Sequence, residues 1–397
     1  MSAKTKNIIG SIISICFLAI LTILMSGLFR HFVYGEYGSD FPVHINTVAT
    51  GDTCYSLMHR LFQLCFKTPQ PYVTMYLMMA GISIMTVVAM YVYTAGRVGF
   101  SRFNGAIMLV SILLLFVSNL YIPTVFPHLY NHYTTTSQPW HNSTYLLMRF
   151  LSVFVLILYF VIYEKMKKGR FSFGYGILFA LMLTLCNYAK PSFFLAFAPM
   201  ALLTFIWLFF QSRGKLFLRL FAWGSCFLAS IPIIFYMKSI VYNEHADYAE
   251  QTELMISTDE LMDFLANSDT PVVVYELSNL LFPLFVLTVF VILIIRKSDI
   301  EIDRVVQGFI MFIIAHAEQL LIVETGMRAN DGNYSWGVYN CGMLLFLICI
   351  AEWLRVRKNG RIHNKYVFAL GIVLFVLQTF CGIIYLVNLC RGVCYLY

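Results

Sequence analysis

The apolar residues of this chain are grouped into long runs that short polar stretches separate. Runs of about 20 residues are typical of membrane-spanning helices, because a helix satisfies its backbone hydrogen bonds internally where water is absent. The pattern predicts eleven spans, over residues 8–29, 72–95, 104–122, 145–163, 173–189, 191–210, 220–240, 275–295, 305–323, 334–354 and 366–389. The first run is longer than the apolar core of a signal peptide, about 7–15 residues, and is predicted to be a retained span.

Composition supports this interpretation. Of the 397 residues, 60% are hydrophobic and 12% are charged, whereas a soluble domain carries about 25% charged residues. The sequence therefore predicts an all-α polytopic membrane protein with a single transmembrane domain over 1–397. Short interfacial helices are expected in its outer loops.

The basic residues predict the orientation, because cytoplasmic loops are enriched in Lys and Arg. With the N-terminus in the cytoplasm, the inner segments collect 19 of the 27 basic residues: Lys4, Lys6, Arg97, Arg102, Lys165, Lys167, Lys168, Arg170, Arg213, Lys215, Arg219, Arg296, Lys297, Arg304, Arg355, Arg357, Lys358, Arg361 and Lys365. The net charge of +7 is then explained by topology and indicates no nucleic-acid partner. We predict a cell-membrane protein whose functional face is extracellular.

Two outer segments are too long to be simple connections. In the first outer loop, 30–71, apolar residues fall on one helical face behind a polar cap and predict a surface helix; they are Leu57, Leu61, Leu64 and Cys65. The second segment, 241–274, is acidic and contains no Lys or Arg. Its capping box at 257–260 predicts another surface helix. A solvated acidic loop is the default interpretation of this segment, and a lid over a site is the alternative.

Polar residues that the membrane does not explain lie near the outer boundary of the spans: Asp40, His44, His128, His132, His141, Arg149, Asn187, Lys190, Glu318 and Arg328. Three of the histidines fall in the outer segment 123–145, with a spacing that matches no compact zinc pattern. Recognition of a hydroxyl-rich or phosphorylated substrate is favoured there over a metal site. No cofactor is predicted with certainty, and a divalent metal is left open.

The same region contains aromatic residues and a short modification motif. Trp140 fits an aromatic belt at the membrane interface, since Trp and Tyr commonly anchor there. Asn142-Ser143-Thr144 and Asn333-Tyr334-Ser335 fit the glycosylation pattern.

Lys190 lies in a predicted corner between two spans, in Ala189-Lys190-Pro191. Proline ends the incoming helix because the residue before it is pushed out of the helical region, and Asn187 shares the face of Lys190. A lysine that snorkels to the lipid headgroups is one interpretation. A clamp for phosphate is the other.

The ninth span carries ionisable residues in its outer half, at His316 and Glu318. Such a residue costs on the order of 3 kcal/mol in a membrane, so it should face protein or a water-filled cavity. His316 and Gln319 share a helical face, whereas Glu318 points elsewhere.

A carboxylate and several cations at the interface suit a ligand with its tail in lipid and its anionic head in water, such as a polyprenyl-phosphate sugar. Asp40 is the candidate base for an acceptor hydroxyl, while Lys190 and Arg149 are the candidate partners of the departing phosphate. The candidate substrate-binding residues are His44, His141, Arg149, Asn187, Lys190 and Glu318. The hypothesis requires Asp40, His141 and Lys190 to converge on one cavity that is open to both lipid and the outer water.

The layout resembles the GT-C superfamily of integral-membrane glycosyltransferases. Asp40, in Gly-Ser-Asp-Phe-Pro-Val-His, occupies the place of that family's first-loop acidic residue, and Ala189-Lys190-Pro191 is similar to a Lys-Gly or Lys-Gly-Pro corner found in some of its members. The stretch 139–144 also looks like loops in membrane proteins of bacterial surface-polysaccharide clusters. The resemblance implies sugar transfer from a polyprenyl-phosphate lipid donor to a glycan or lipid-linked acceptor. Phe41 follows Asp40, so the acidic pair of several branches is absent.

Three alternatives remain from the sequence. A transporter or flippase of lipid-linked oligosaccharide would place polar groups in the middle of the membrane, where most of these spans are apolar. A polysaccharide polymerase of the Wzy type acts on the same class of lipid-linked glycan, but it tends to use more outer arginines. A membrane acyltransferase would need its polar cluster on the cytoplasmic face.

Overall fold

A computed structural model describes residues 3–51, 54–100, 103–118, 140–240, 254–258, 284–295, 302–324, 334–360, 362 and 364–391. Within these ranges the chain forms helices and one pair of short strands. They are α1 (Ala3–Val33), α2 (Phe41–Ala49), α3 (Leu57–Cys65), α4 (Pro71–Val98), α5 (Gly105–Leu114), α6 (Ser143–Lys167), α7 (Phe173–Ala189), α8 (Ser192–Gln211), α9 (Phe217–Leu228), α10 (Ile231–Ser239), β1 (Leu254–Ile256), α11 (Leu284–Ile295), α12 (Ile302–Leu321), β2 (Ile322–Glu324), α13 (Ser335–Lys358) and α14 (Lys365–Cys390).

Eight helical stretches in the described part of the chain are long and apolar enough to cross a membrane. They are Ile8–Val33, Pro71–Val98, Ser143–Lys167, Ser192–Gln211, Phe217–Ser239, Ile302–Leu321, Ser335–Lys358 and Lys365–Asn388. The other three predicted runs overlap the shorter apolar helices α5 and α7 and the described helix α11. The prediction of an all-α, multi-pass membrane protein is confirmed, with eight described spans where the sequence predicted eleven.

Helices α13 and α6 form the centre of the bundle. Nearly every side chain of α13 is buried, and α6 is the next most enclosed span. A helix that is enclosed on all sides in this way is a core helix, and its polar residues must find partners in the protein. Helices α4, α8 and α12 pack around α13.

The bundle has two chemically different ends. On one side α1, α7 and α12 end and α4, α6, α8 and α13 begin; we call it the Asp40 end. The opposite side, where α4, α6 and α13 end and α12 begins, is the Glu352 end. There Glu352 accepts hydrogen bonds from Arg97 of α4 and from Arg355, and Arg304 of α12 pairs with Glu164 of α6 at 2.8 Å. These ion pairs connect four helices.

The first outer loop contains two short helices, α2 and α3, where the sequence predicted one. The predicted helix corresponds to α3, whose buried face consists of Met58, His59, Phe62 and Cys65. Of the predicted apolar face, Cys65 is buried, Leu57 and Leu61 pack partly buried against the core, and Leu64 is 57% exposed. That face is therefore turned only in part away from the bundle.

The strands β1 and β2 form an antiparallel pair in which Met255 lies opposite Val323. This short ladder brings part of the acidic segment 241–274 to the end of α12, and the Ser257 amide donates to the Leu321 carbonyl at 3.0 Å. The sequence did not predict these strands. The predicted surface helix of the segment lies outside the described residues.

Candidate functional site

Aromatic packing at the end of α1 fixes the position of Asp40. Asp40 occupies the N-cap position of α2, and the next residue, Phe41, stacks on Phe29 and Phe32 of α1 with ring centroids 5.7 Å apart in each pair. Offset stacking of this kind anchors one element on another. The start of α2 is therefore held against α1, and its capping residue faces the interior of the Asp40 end.

The carboxylate of Asp40 is bound by the start of α6. The Asn142 side chain donates its Nδ2–H to Asp40 Oδ2 at 2.6 Å, and the Asp40 backbone amide donates to the His141 carbonyl at 3.1 Å. Asn142 is also the N-cap of α6, because its Oδ1 accepts from the Tyr145 amide at 2.8 Å. Since the oxygen is committed to the cap, the amide nitrogen must face Asp40.

Several polar groups act together on the Asp40 carboxylate. Burial by itself raises the pKa of Asp40, but His141, His44, the Asn142 hydrogen bond and Lys190 together lower the pKa below its ordinary value of 3.8. The carboxylate is therefore ionised at neutral pH. It is a hydrogen-bond acceptor and a candidate proton acceptor.

Two buried imidazoles lie behind Asp40. His44 Nδ1 is 2.7 Å from the Ser143 hydroxyl, and the His44 and His59 rings meet edge to face with centroids 5.2 Å apart. Burial lowers the pKa of His44 to about 4, with a smaller raising effect from Asp40, and burial lowers the pKa of His59 to about 3. Both rings are therefore neutral at physiological pH.

Lys190 approaches the same group from the corner of α7 and α8. Helix α7 ends at Ala189, Lys190 is extended, and α8 begins at Ser192, as the proline predicted. The Lys190 ammonium lies 4.8 Å from the centre of the Trp336 ring, which also contacts His141, with centroids 5.3 Å apart. Asp40, His141 and Lys190 therefore lie close together, and the ammonium lies against a buried ring. Their opening to both lipid and the outer water stays a prediction.

Arg149 contacts two aromatic rings at the start of α6. Its guanidinium is fully buried and lies 4.5 Å from the centre of the Trp140 ring and 5.7 Å from that of Tyr145. It is not among the groups that act on Asp40. The assignment of Arg149 as a phosphate partner stays a prediction, since its described contacts are with aromatic rings.

The remaining predicted residues border the cluster. Asn187 is fully buried, and neither atom of its amide hydrogen-bonds with another described residue. Glu318 is half-buried, and its Oε2 would lie 3.8 Å from a Cβ placed on Gly337, next to Trp336. Gln319 donates to the Ser335 hydroxyl at 3.1 Å. Helix α12 thus presents two adjacent polar side chains to the start of α13.

Sequence reasoning missed the roles of Asn142 and Trp336 and misassigned Trp140. Asn142 is 4% exposed and both ends of its amide are hydrogen-bonded, so the glycosylation motif at this position is not a surface site. Trp140 is 1% exposed and packs on Arg149, so it does not belong to an aromatic belt. Asparagine before Ser-Thr is also an N-cap signal, which is the signal that could have identified Asn142.

Among the described residues, no group of three or more His, Cys, Asp or Glu side chains is placed to hold a metal ion. His128, His132 and Arg328 lie outside the described residues, as does Asn333. The described residues thus provide one ionised carboxylate, two neutral imidazoles, a third imidazole at His141 and an ammonium. This set can accept a proton and bind an anion on adjacent sides of one substrate.

Comparisons of the chain with family models, with curated proteins and with solved structures found no match. The resemblance to the GT-C superfamily therefore depends on the topology and on Asp40 and Lys190 alone.

Proposed function

We propose that this protein is an integral-membrane glycosyltransferase of the GT-C type. In this proposal it transfers a sugar from a polyprenyl-phosphate donor to a glycan or lipid-linked acceptor at the outer face of the cell membrane. The observation that carries the proposal is the group around Asp40, in which one ionised carboxylate is surrounded by His44, His141 and Lys190 at the end of a membrane bundle.

The location suits an amphiphilic substrate. The group lies where spanning helices begin and end, so a ligand there can keep its isoprenoid tail in lipid and its sugar phosphate among polar side chains. The basic residues predict that this end faces outward. The carboxylate and the ammonium supply the two charges that transfer of a sugar from phosphate requires.

In the proposed reaction an acceptor hydroxyl oxygen forms a bond to the anomeric carbon of the donor sugar. The bond between that carbon and the phosphate oxygen breaks, and its electron pair leaves with the polyprenyl phosphate. The hydroxyl proton passes to a carboxylate oxygen of Asp40. Lys190 stabilises the negative charge that develops on the leaving phosphate.

The other residues orient the substrates in this proposal. His44 is held by Ser143 and His141 by Trp336, so both imidazoles are positioned to hydrogen-bond sugar hydroxyls. Asn187 and Glu318 are assigned to the sugar or the acceptor. Arg149 is not given a role at the leaving phosphate, because its contacts are with Trp140 and Tyr145.

The test is sugar transfer by Asp40→Asn. Asparagine keeps an oxygen that accepts from Asn142 but cannot take up the acceptor proton, so we expect transfer to fall by at least about 100-fold. The purified protein in liposomes would be supplied with a panel of radiolabelled polyprenyl-phosphate sugars and membrane glycan acceptors. Glu36→Gln is the matched control, because Glu36 belongs to the same loop and is paired with the exposed His31.

Undiminished transfer by Asp40→Asn would refute the assigned base. A wild-type protein that turns over no donor, yet moves fluorescent lipid-linked sugars between leaflets, would replace the transferase with a flippase. Reaction with an acceptor that is itself a lipid-linked polymer would identify the polymerase version of the same chemistry.

A further inference from the structure

Arg149 is a fully buried cation whose three nitrogens have no hydrogen-bond partner in the described part of the chain. It lies in the central span α6, six residues after Ser143, which corresponds to about 9 Å along the helix axis. Its side chain is fully buried and leans toward the start of the helix, as helical side chains do, so that its guanidinium meets Tyr145 and Trp140. Trp140 immediately precedes the two residues that bind Asp40. Through Trp140, Arg149 is thus connected to the segment that binds Asp40; we call Asp40, His44, His141 and Lys190 the Asp40 cluster.

The guanidinium of Arg149 has more hydrogen-bond donors than the described residues around it have acceptors. A guanidinium carries five N–H donors, and none of the three Arg149 nitrogens makes a hydrogen bond of normal geometry with a described residue. Its described neighbours are two aromatic faces and the nearby Tyr145 hydroxyl. Cation–π contacts return only part of the free energy lost when a guanidinium is removed from water.

No described carboxylate pairs with Arg149. Asp40 is bound by Asn142, and Glu318 lies beside Gly337. Other described carboxylates form pairs elsewhere: Glu36 with His31, Glu164 with Arg304, Asp303 with Lys167 and Glu352 with Arg97. Among the described residues this buried cation thus has no counter-charge, and an oxyanion on a bound ligand would supply one.

We propose that the Arg149 guanidinium is an oxyanion-binding site, and that the ligand of the Asp40 cluster carries a phosphate or carboxylate that reaches it. A planar guanidinium matches both anions in a two-pronged geometry. Arg149 and Lys190 contact different aromatic rings, so in this proposal the ligand carries this charge in addition to the phosphate assigned to Lys190. Only the identity of the ligand depends on the proposed function, because anion binding can be measured without any transfer reaction.

The test is thermal unfolding of the full-length protein in a neutral detergent and chloride buffer. The probes are inorganic phosphate, farnesyl phosphate and glucuronate, with farnesol and glucose as uncharged controls. The comparison is between Lys190→Met and the double variant Lys190→Met/Arg149→Met, so that binding at Lys190 does not contribute. We expect a saturating oxyanion to raise the midpoint of Lys190→Met by about 3 °C or more and to leave the double variant unchanged.

The buffer without probe gives an independent readout. If the guanidinium has no counter-charge in the ligand-free protein, the Arg149→Met substitution removes an uncompensated buried charge. The variant should then unfold at the same temperature as the wild type or at a higher one. A clearly lower midpoint would overturn the inference, since it would show that the chain itself satisfies the guanidinium. Arg149→Lys keeps the charge without the planar fork and is expected to weaken oxyanion binding about tenfold.

The probes distinguish the source of the anion. A response to farnesyl phosphate alone assigns the site to a lipid-linked phosphate, and a response to glucuronate alone assigns it to an acidic sugar. No response of Lys190→Met to any probe, an equal response of the double variant, or unchanged affinity in Arg149→Lys would each refute the inference. The proposed transferase fails on different grounds, through activity retained by Asp40→Asn.

Discussion

Both ends of the bundle bury a carboxylate, but the two carboxylates have different surroundings. Glu352 is fully buried at one end, where Oε1 accepts from Arg97 Nε at 2.8 Å and Oε2 accepts from Arg355 Nε at 2.6 Å. Nearby, Lys358 donates to the carbonyls of Val98 and Gly99, which ties the ends of α13 and α4 together. Both carboxylate oxygens are therefore paired within the protein.

At the other end, the direct hydrogen-bond partner of the Asp40 carboxylate is a neutral amide, that of Asn142. Polar groups near it retain hydrogen-bonding capacity in the described structure: the ring of His59, the amide of Asn187 and the guanidinium of Arg149. Native interiors seldom leave such groups unpaired. The charges at the Glu352 end therefore stabilise the packing of the helices. The polar groups at the Asp40 end are available to bind a ligand.

The largest expected effect comes from breaking the paired end. Glu352→Gln leaves the half-buried Arg97 and Arg355 without a counter-charge, so we expect it to lower the free energy of unfolding by about 2–4 kcal/mol. In Asp40→Asn the new side chain still accepts from Asn142, and the expected change is below about 1 kcal/mol. Reversible unfolding in mixed micelles would measure both values. Equal losses at the two ends would remove the distinction between them.

The next effect concerns the buried imidazoles at the Asp40 end. The pKa of His44 is lowered to about 4 and that of His59 to about 3, from 6.5. As the pH falls below 6.5, the unfolded chain binds protons that the native protein excludes, so each histidine reduces stability by about 1.4 kcal/mol per pH unit down to its native pKa. Asp40, with its pKa below 3.8, adds to this loss only in stronger acid.

Unfolding midpoints between pH 7 and pH 4.5 would measure this slope. His59→Phe removes one titrating ring whose nitrogens have no described hydrogen-bond partner, and we expect it to flatten the acid slope by about half. His31→Asn is the control, since His31 is part-exposed and paired with Glu36. A slope that His59→Phe leaves unchanged would show that other groups cause the acid sensitivity.

The sequence was informative where local chemistry decides structure. Apolar runs located the spans, because a helix in lipid needs no partner for its backbone. Pro191 located the corner after Ala189, since proline restricts the residue before it. From these two features, alternation of the spans placed Asp40, His141 and Lys190 at one end of the bundle. Whether they meet there depends on helix packing, which the sequence left as a condition.

The sequence was uninformative where residues far apart in the chain decide the role of a side chain. From the sequence alone Asn142 fits a surface modification motif. In the structure its side chain is buried against Asp40, which follows the end of α1. Arginine is a common phosphate partner, but the position of Arg149 on α6 directs its side chain to Trp140. His59 is buried because Met58 and Phe62 turn that face of α3 inward, a choice that helical periodicity alone leaves open.

The smallest effect tests how the Asp40 end is arranged, through Asn142. Serine and aspartate both cap helices well, so Asn142→Ser and Asn142→Asp keep the start of α6 while removing the donor to Asp40. Losing that hydrogen bond raises the pKa of Asp40 slightly in the serine variant, and the second carboxylate raises it further in the aspartate variant.

In the transfer assay, we expect the activity of Asn142→Asp to fall as the pH drops through neutral values. The wild type should keep its activity down to about pH 4. Both variants should unfold within about 2 kcal/mol of the wild type. If their pH profiles match that of the wild type, Asn142 only caps α6, and the environment of Asp40 is set by its histidines and Lys190 alone.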